Sequence, residues 1–132
     1  MSAEVAYLDT SAFVKTINLE LESTAVTRYL ETWPRLASSK LLRVEALRTM
    51  RRFGSEKMAE TRAKLRRVEL IELRDSILET AALLDPATLR SLDAIHLATA
   101  QYLGAELGVI VTYDQRMAAG ARALGLAVAA PG

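Results

Sequence analysis

The sequence predicts a three-layer α/β/α fold: a parallel sheet with helices on both faces. Three observations predict it. Short apolar runs of strand length recur along the chain, Val5–Leu8 and Val109–Thr112 being the clearest. Longer segments rich in helix formers separate them. Hydrophobic residues make up 51% of the chain but aromatics only 5%, so Ala, Leu and Val fill the core and favour close packing of helix on sheet.

In chain order, Val5–Leu8 forms the first strand and Thr10–Thr16 a helical turn or two. Ser23 caps a helix through Leu30, and Pro34 punctuates its end. Leu36–Ser38 is a brief strand. Ser38 or Ser39 then caps the helix KLLRVEALRTMRRF, which stops at Gly54. A second long helix runs from Glu56 to Val68, and the pair around Gly54 reads as a hairpin leaving the sheet. Leu70–Leu73 is a strand, and Asp75 caps a helix to about Leu84, broken by Pro86. In LRSLDAIHLATAQYLG apolar residues run all round, so this helix belongs inside, with Ser91 as its cap. Val109–Thr112 follows the turn between Gly104 and Gly108. Asp114 opens a helix to about Leu124, Gly125 closes it, and Leu126–Val128 is the last strand.

With 132 residues, no internal repeat and no low-complexity linker, the chain reads as one domain, residues 1–132. A net charge of +1 with 25% charged residues argues against disorder. No cysteine is present, which excludes disulfides, thiolate metal sites and a cysteine nucleophile. Glu4 and Asp9 interrupt any secretory pattern, and no apolar span reaches the roughly 20 residues of a membrane helix. A cytoplasmic protein without membrane contact is expected. Charge is uneven, however: ten of the 17 basic residues lie between Arg43 and Arg74, against five acids. That excess suits phosphates, although two solvated helices with scattered ion pairs would look the same.

Four acids sit where a plain surface reading strains. Asp9 and Asp114 follow the carboxyl ends of two strands, where parallel sheets gather ligands. Each could equally be a helix cap. Asp93 lies in the first turn of the most apolar helix. Glu45 sits mid-helix between Leu41, Leu42 and Arg48, Thr49, where the simple alternative is a surface Glu45–Arg48 pair. If the four converge, their carboxylates repel and only a cation makes the cluster tolerable. Hard oxygen ligands select Mg²⁺ or Mn²⁺ over zinc. An acidic metal cluster beside a basic flank suggests phosphoryl chemistry. His96, three residues after Asp93, reads as a hydrogen-bonded structural residue ahead of a catalytic base or the partner of an acid.

YLDTSAF, SSKLLRVEALR, LRSLDAIHLATA and VTYDQRMAAGARALGLAV, in this order and spacing, resemble the PIN domains, and more narrowly the VapC ribonuclease toxins of bacterial toxin–antitoxin pairs. The stretch from about Phe53 to Leu84 carries no motif. The resemblance implies a parallel sheet of about five strands with the acids in one cleft. Its four acids fall on Asp9, Glu45, Asp93 and Asp114, and its supporting hydroxyls on Thr10, Ser11 and Thr112. It implies Mg²⁺- or Mn²⁺-dependent cleavage of RNA, a homodimer, and a cognate VapB-type antitoxin that blocks the cleft. In this reading Asp9 and Asp93 hold the principal metal, Asp114 and Glu45 complete the pocket, and a metal-activated water attacks the phosphodiester. Thr112 or Thr10 orients ligands, and Arg48, Arg51 and Arg52 meet the RNA backbone without reading sequence.

Three rivals remain at this level. A haloacid-dehalogenase-like phosphohydrolase needs a second Asp two positions after Asp9, where Ser11 stands. A phosphorylation receiver needs an acidic pair after the first strand, where Asp9 is alone. A non-catalytic PIN-like module that only docks RNA or protein keeps the fold without the chemistry, and the full set of acids disfavours it.

Overall fold

The computed structural model describes residues 3–132. Its order is β1 (Val5–Leu8), α1 (Thr10–Lys15), α2 (Ser23–Glu31), β2 (Arg35–Ser39), α3 (Leu41–Met50), α4 (Ser55–Leu65), β3 (Glu69–Ile71), α5 (Asp75–Ala82), α6 (Ser91–Tyr102), β4 (Leu107–Val111), α7 (Gln115–Ala123) and β5 (Val128–Ala129). The strands form one sheet in the order β3-β2-β1-β4-β5, and every pairing is parallel. The expected three-layer architecture with five parallel strands is therefore what the chain adopts.

All four residues of β1 are buried, which is why this strand reads as an unbroken apolar run. Alternation along it still divides the core. Ala6 and Leu8, with Val109 and Val111 of β4, face the side covered by α1–α4. Tyr7 and Ile110 face the other side, where Leu97 and Ala100 of α6 and Met117 and Ala121 of α7 pack. On its far side α6 meets α5 through Ala94 and Ala98 against Ile77 and Ala81. Packing on two sides explains its all-round apolar sequence, but the helix is not wholly interior: Leu92 is half exposed.

The hairpin of α3 and α4 turns at Gly54, whose φ of 96° favours glycine. It does not leave the sheet as expected. Met50, Leu65 and Val68 join the same apolar cluster as Leu8 and Val111. Several local expectations shift. The Ser23 hydroxyl accepts from the Glu20 N–H and so ties the preceding loop rather than capping α2. Ser39, not Ser38, accepts the Leu41 N–H at the start of α3. Ser38 instead donates to the Leu8 carbonyl from a fully buried position. Neither Asp75 nor Ser91 caps its helix; each is the first helical residue, after Arg74 and Arg90. The last strand lies at Val128–Ala129, because Leu126 still serves the C-terminal turn of α7 by donating to Ala121.

One glycine is required by close approach. A Cβ on Gly108 would lie 2.3 Å from Cζ3 of Trp33 and 3.3 Å from the Val5 carbonyl. Gly108→Ala is expected to cost about 1–3 kcal/mol through overpacking. The urea midpoint should fall at unchanged slope, and fluorescence of the single tryptophan should shift as the ring is displaced. An unchanged midpoint would mean that the Trp33 ring does not rest on β4.

Candidate active site

Strand order reverses between β1 and β4, since the chain winds outward from each in opposite directions. Such a switch point opens a crevice at the carboxyl ends of the two strands. Asp9 follows β1 there, and its backbone N–H continues the ladder to the Val111 carbonyl at 3.3 Å. Asp114 stands three residues past the end of β4, after Thr112 and Tyr113.

Asp9 is 4% exposed and fully engaged. Its Oδ1 accepts from the Ser11 hydroxyl at 2.7 Å and from the Ala12 N–H at 3.0 Å, while Oδ2 accepts from the Thr112 hydroxyl. Capping and site placement thus coexist, since Asp9 is the N-cap of α1. Burial pushes its carboxyl above the ordinary aspartate value, and the bonds from Thr112, Ser11 and Ala12 offset only part of that. Ser11 also accepts the Tyr113 N–H at 2.9 Å, so the residue that replaces a second Asp braces β4 against β1.

Glu45 makes no pair with Arg48. Its Oε1 accepts from Thr10 Oγ1 at 2.8 Å and lies 2.8 Å from Nε2 of His96. Burial pushes this carboxyl up, but the His96 and Thr10 contacts outweigh it and leave the value below the ordinary one. Asp93 stands in the first turn of α6. Burial and then the charge of Asp114 raise its carboxyl, and His96, Arg90 and Arg116 draw it down less strongly. Asp114 is the exposed N-cap of α7, with Oδ1 accepting the N–H groups of Arg116 and Met117 at 2.8 and 3.1 Å. Three of the four acids therefore sit at helix N-termini, where the dipole favours negative charge.

The hydroxyls Thr10, Ser11 and Thr112 each donate to one of these acids. The acids do not form a ready cage: among the described residues, no three acidic or histidine side chains are placed to hold a metal ion as they stand. The sequence reading of His96 as a buried, hydrogen-bonded residue holds, but its partners were not legible. His96 is 3% exposed and joins Tyr7 of β1 to Glu45 of α3 through its two ring nitrogens. Its position one turn after Asp93 was the available signal; its contacts with Tyr7 and Glu45 span 89 and 51 residues. Arg90 and Arg116 beside Asp93 were missed too, being isolated cations in sequence.

Arg48 is exposed on α3, and Arg51 and Arg52 are exposed in the 3-10 turn after it, Arg52 lying over the Phe53 ring at 4.9 Å. The basic stretch around them is not all free charge. Lys64 and Lys57 of α4 donate to the Thr16 and Ile17 carbonyls at the end of α1, and Arg74 lies over Tyr102. Among the described residues no helix is long and apolar enough to cross a membrane.

Comparison with known proteins adds to this geometry. The PIN domain family model matches residues 6–123. Ribonuclease VapC46 of Mycobacterium tuberculosis is 46% identical over 125 residues, covering 95% of this chain and 96% of that protein. Ribonuclease VapC35 of the same species is 45% identical over 130 residues, covering 96% of each. Among solved structures, a toxin–antitoxin complex from Klebsiella pneumoniae superposes with a TM-score of 0.73 at 24% identity, covering 96% of this chain and 98% of that one. At that identity the likeness shows the fold.

Proposed function

Since this chain belongs to the PIN domain family, we propose that it is an endoribonuclease, the toxin of a VapBC-type pair, acting as one PIN-like domain over residues 1–132 with Mg²⁺ or Mn²⁺. The observation that carries the reading is the acidic crevice at the switch point, with Asp9, Glu45, Asp93 and Asp114 on four separate elements. The donor set fits a hard divalent cation. All four candidate ligands are carboxylates, Asp93 and Asp114 repel one another, and burial raises the Asp9 carboxyl, which pairs with no Lys or Arg among the described residues.

Asp9 and Asp93 are the principal ligands in this reading, completed by Asp114 and Glu45. Bound there, the cation supplies positive charge for phosphate oxygens and an acidified water for in-line attack. The protein's own work is positional. Thr112 and Ser11 fix both oxygens of Asp9, and Thr10 fixes Glu45. Arg90 and Arg116, beside Asp93, suit the phosphates flanking the cleaved bond. Arg48, Arg51 and Arg52 suit the backbone further along. RNA is the substrate and a VapB-type antitoxin the partner; the Klebsiella toxin–antitoxin complex supports the second. A homodimer in the cytoplasm belongs to the same reading.

The test is cleavage of total RNA by purified protein. Cleavage should require Mg²⁺ or Mn²⁺, stop with chelator, and fall at least about 100-fold in Asp93→Ala, since even partners of metal ligands cost about 10- to 100-fold. Chelator-resistant cleavage, or an Asp93→Ala protein as active as wild type, would refute the metal assignment.

A further inference from the structure

Tyr7 and His96 are the two buried polar rings of the α6 face, and neither has a part in the reading above. They meet edge to face, with centroids 5.9 Å apart and planes at 76°. The Tyr7 hydroxyl lies 2.7 Å from Nδ1 of His96, and Nε2 of His96 lies 2.8 Å from Oε1 of Glu45. Three residues of three elements, β1, α6 and α3, are thus strung on one line of hydrogen bonds.

We propose that His96 is a positioning residue: Tyr7 holds it as the Nε2–H tautomer, and that N–H pins Oε1 of Glu45 so that Oε2 is left for the ligand of the cleft. The proposal rests on the ribonuclease reading for the identity of that ligand, but not for the tautomer. A carboxylate only accepts hydrogen bonds, so the atom 2.8 Å from Oε1 must carry a proton. In the proposed tautomer Nδ1 presents a lone pair, which needs a donor. Tyr7 is that donor: fully buried, its phenol is held well above the ordinary value by desolvation and keeps its proton. Thr10 donates to the same Oε1, so that oxygen is doubly held. Oε2 accepts no hydrogen bond among the described residues. This arrangement also accounts for an acid in the middle of α3 that no salt bridge to a Lys or Arg stabilises.

The chain has one histidine, so its ring nitrogens can be read directly by ¹⁵N NMR of the uniformly labelled protein. The wild type at neutral pH should show the Nε2–H tautomer. Tyr7→Phe, which removes only the hydroxyl, should shift the ring toward a mixture of tautomers. An Nδ1–H ring or an imidazolium in the wild type, or an unchanged spectrum in Tyr7→Phe, would overturn the proposal. The second readout is Mn²⁺ affinity without RNA, by titration calorimetry. His96→Ala should weaken it about 10- to 100-fold, and His96→Gln, whose amide can still donate to Oε1, should recover most of the loss. In a Glu45→Gln background the His96→Ala change should add nothing. Wild-type affinity in a folded His96→Ala would refute the positioning role while leaving the ribonuclease reading intact. A wild type that shows the expected tautomer but binds no Mn²⁺ would refute both the ligand role of Glu45 and the metal reading.

Discussion

Asp9→Asn is expected to cut RNA cleavage severely and at the same time to raise the melting temperature. Both effects follow from one buried carboxylate. The Asn side chain keeps an acceptor for Ser11 and the Ala12 N–H, and its amide group can donate to the Thr112 oxygen, so the capping and bracing bonds survive. What is lost is the negative charge, which the proposed metal site would need as a ligand; at least about a 100-fold fall in rate is expected on that reading. The stability gain comes from the same loss. Burial raises the Asp9 carboxyl above its ordinary value, so the folded protein holds the proton more tightly than the unfolded chain. Stability therefore declines as pH rises from the unfolded value through the folded one. At neutral pH the buried Asp9 carboxyl is therefore a net cost, which Asn removes. The gain should be on the order of 1 kcal/mol, or about 4 °C for a domain of this size. Measured with chelator present, the difference in melting temperature should vanish in acid, below the ordinary aspartate range, and widen toward neutral pH. A variant that cleaves at the wild-type rate would sink the assignment of Asp9. One that melts lower at neutral pH would mean that its hydrogen bonds, not its desolvation, dominate.

The same contrast governs what could be seen in the sequence. Strands β1 and β4 were legible because burial on both faces leaves no polar residue in the run. Asp9 and Asp114 were legible because a strand end followed by an acid is a local pattern. Glu45 could be suspected from its apolar neighbours but not understood, because its partners Thr10 and His96 lie 35 and 51 residues away. The surface pair with Arg48 was the best local account and was wrong. The basic stretch misled in the same way: Lys57 and Lys64 look like free charge until α4 folds back and their ammonium groups meet the open carbonyls at the end of α1. The caps expected at Ser23, Asp75 and Ser91 failed because those residues are already inside their helices. There, side-chain chemistry names a helix start only to within a residue or two.

Leu97→Ala is expected to destabilise the protein by about 3 kcal/mol, and Gly120→Ala is expected to recover part of that loss. Leu97 is fully buried among Tyr7, Ala100, Ile110, Met117 and Ala121, so truncation costs both transfer energy and a cavity. Its neighbour in sequence is His96, and Asp93 lies one turn earlier, so a tilt of α6 would move both residues of the proposed site. RNA cleavage should fall with the fold still cooperative. Gly120 stands opposite on α7: a Cβ there would lie 2.8 Å from Cδ1 of Leu97 and 3.6 Å from Cδ1 of Leu89. In the wild type the helix-forming advantage of Ala, about 1 kcal/mol, is offset by that contact. Once Leu97 is truncated, the contact disappears and the new methyl enters the vacated space. The double variant should therefore be more stable than Leu97→Ala by about 1–2 kcal/mol, while Gly120→Ala alone gains little or loses. Urea melts of the four proteins close this cycle. A coupling energy of zero would show that α6 and α7 do not share the contact, and the angle of α6 would then have to be set by α5 and the sheet.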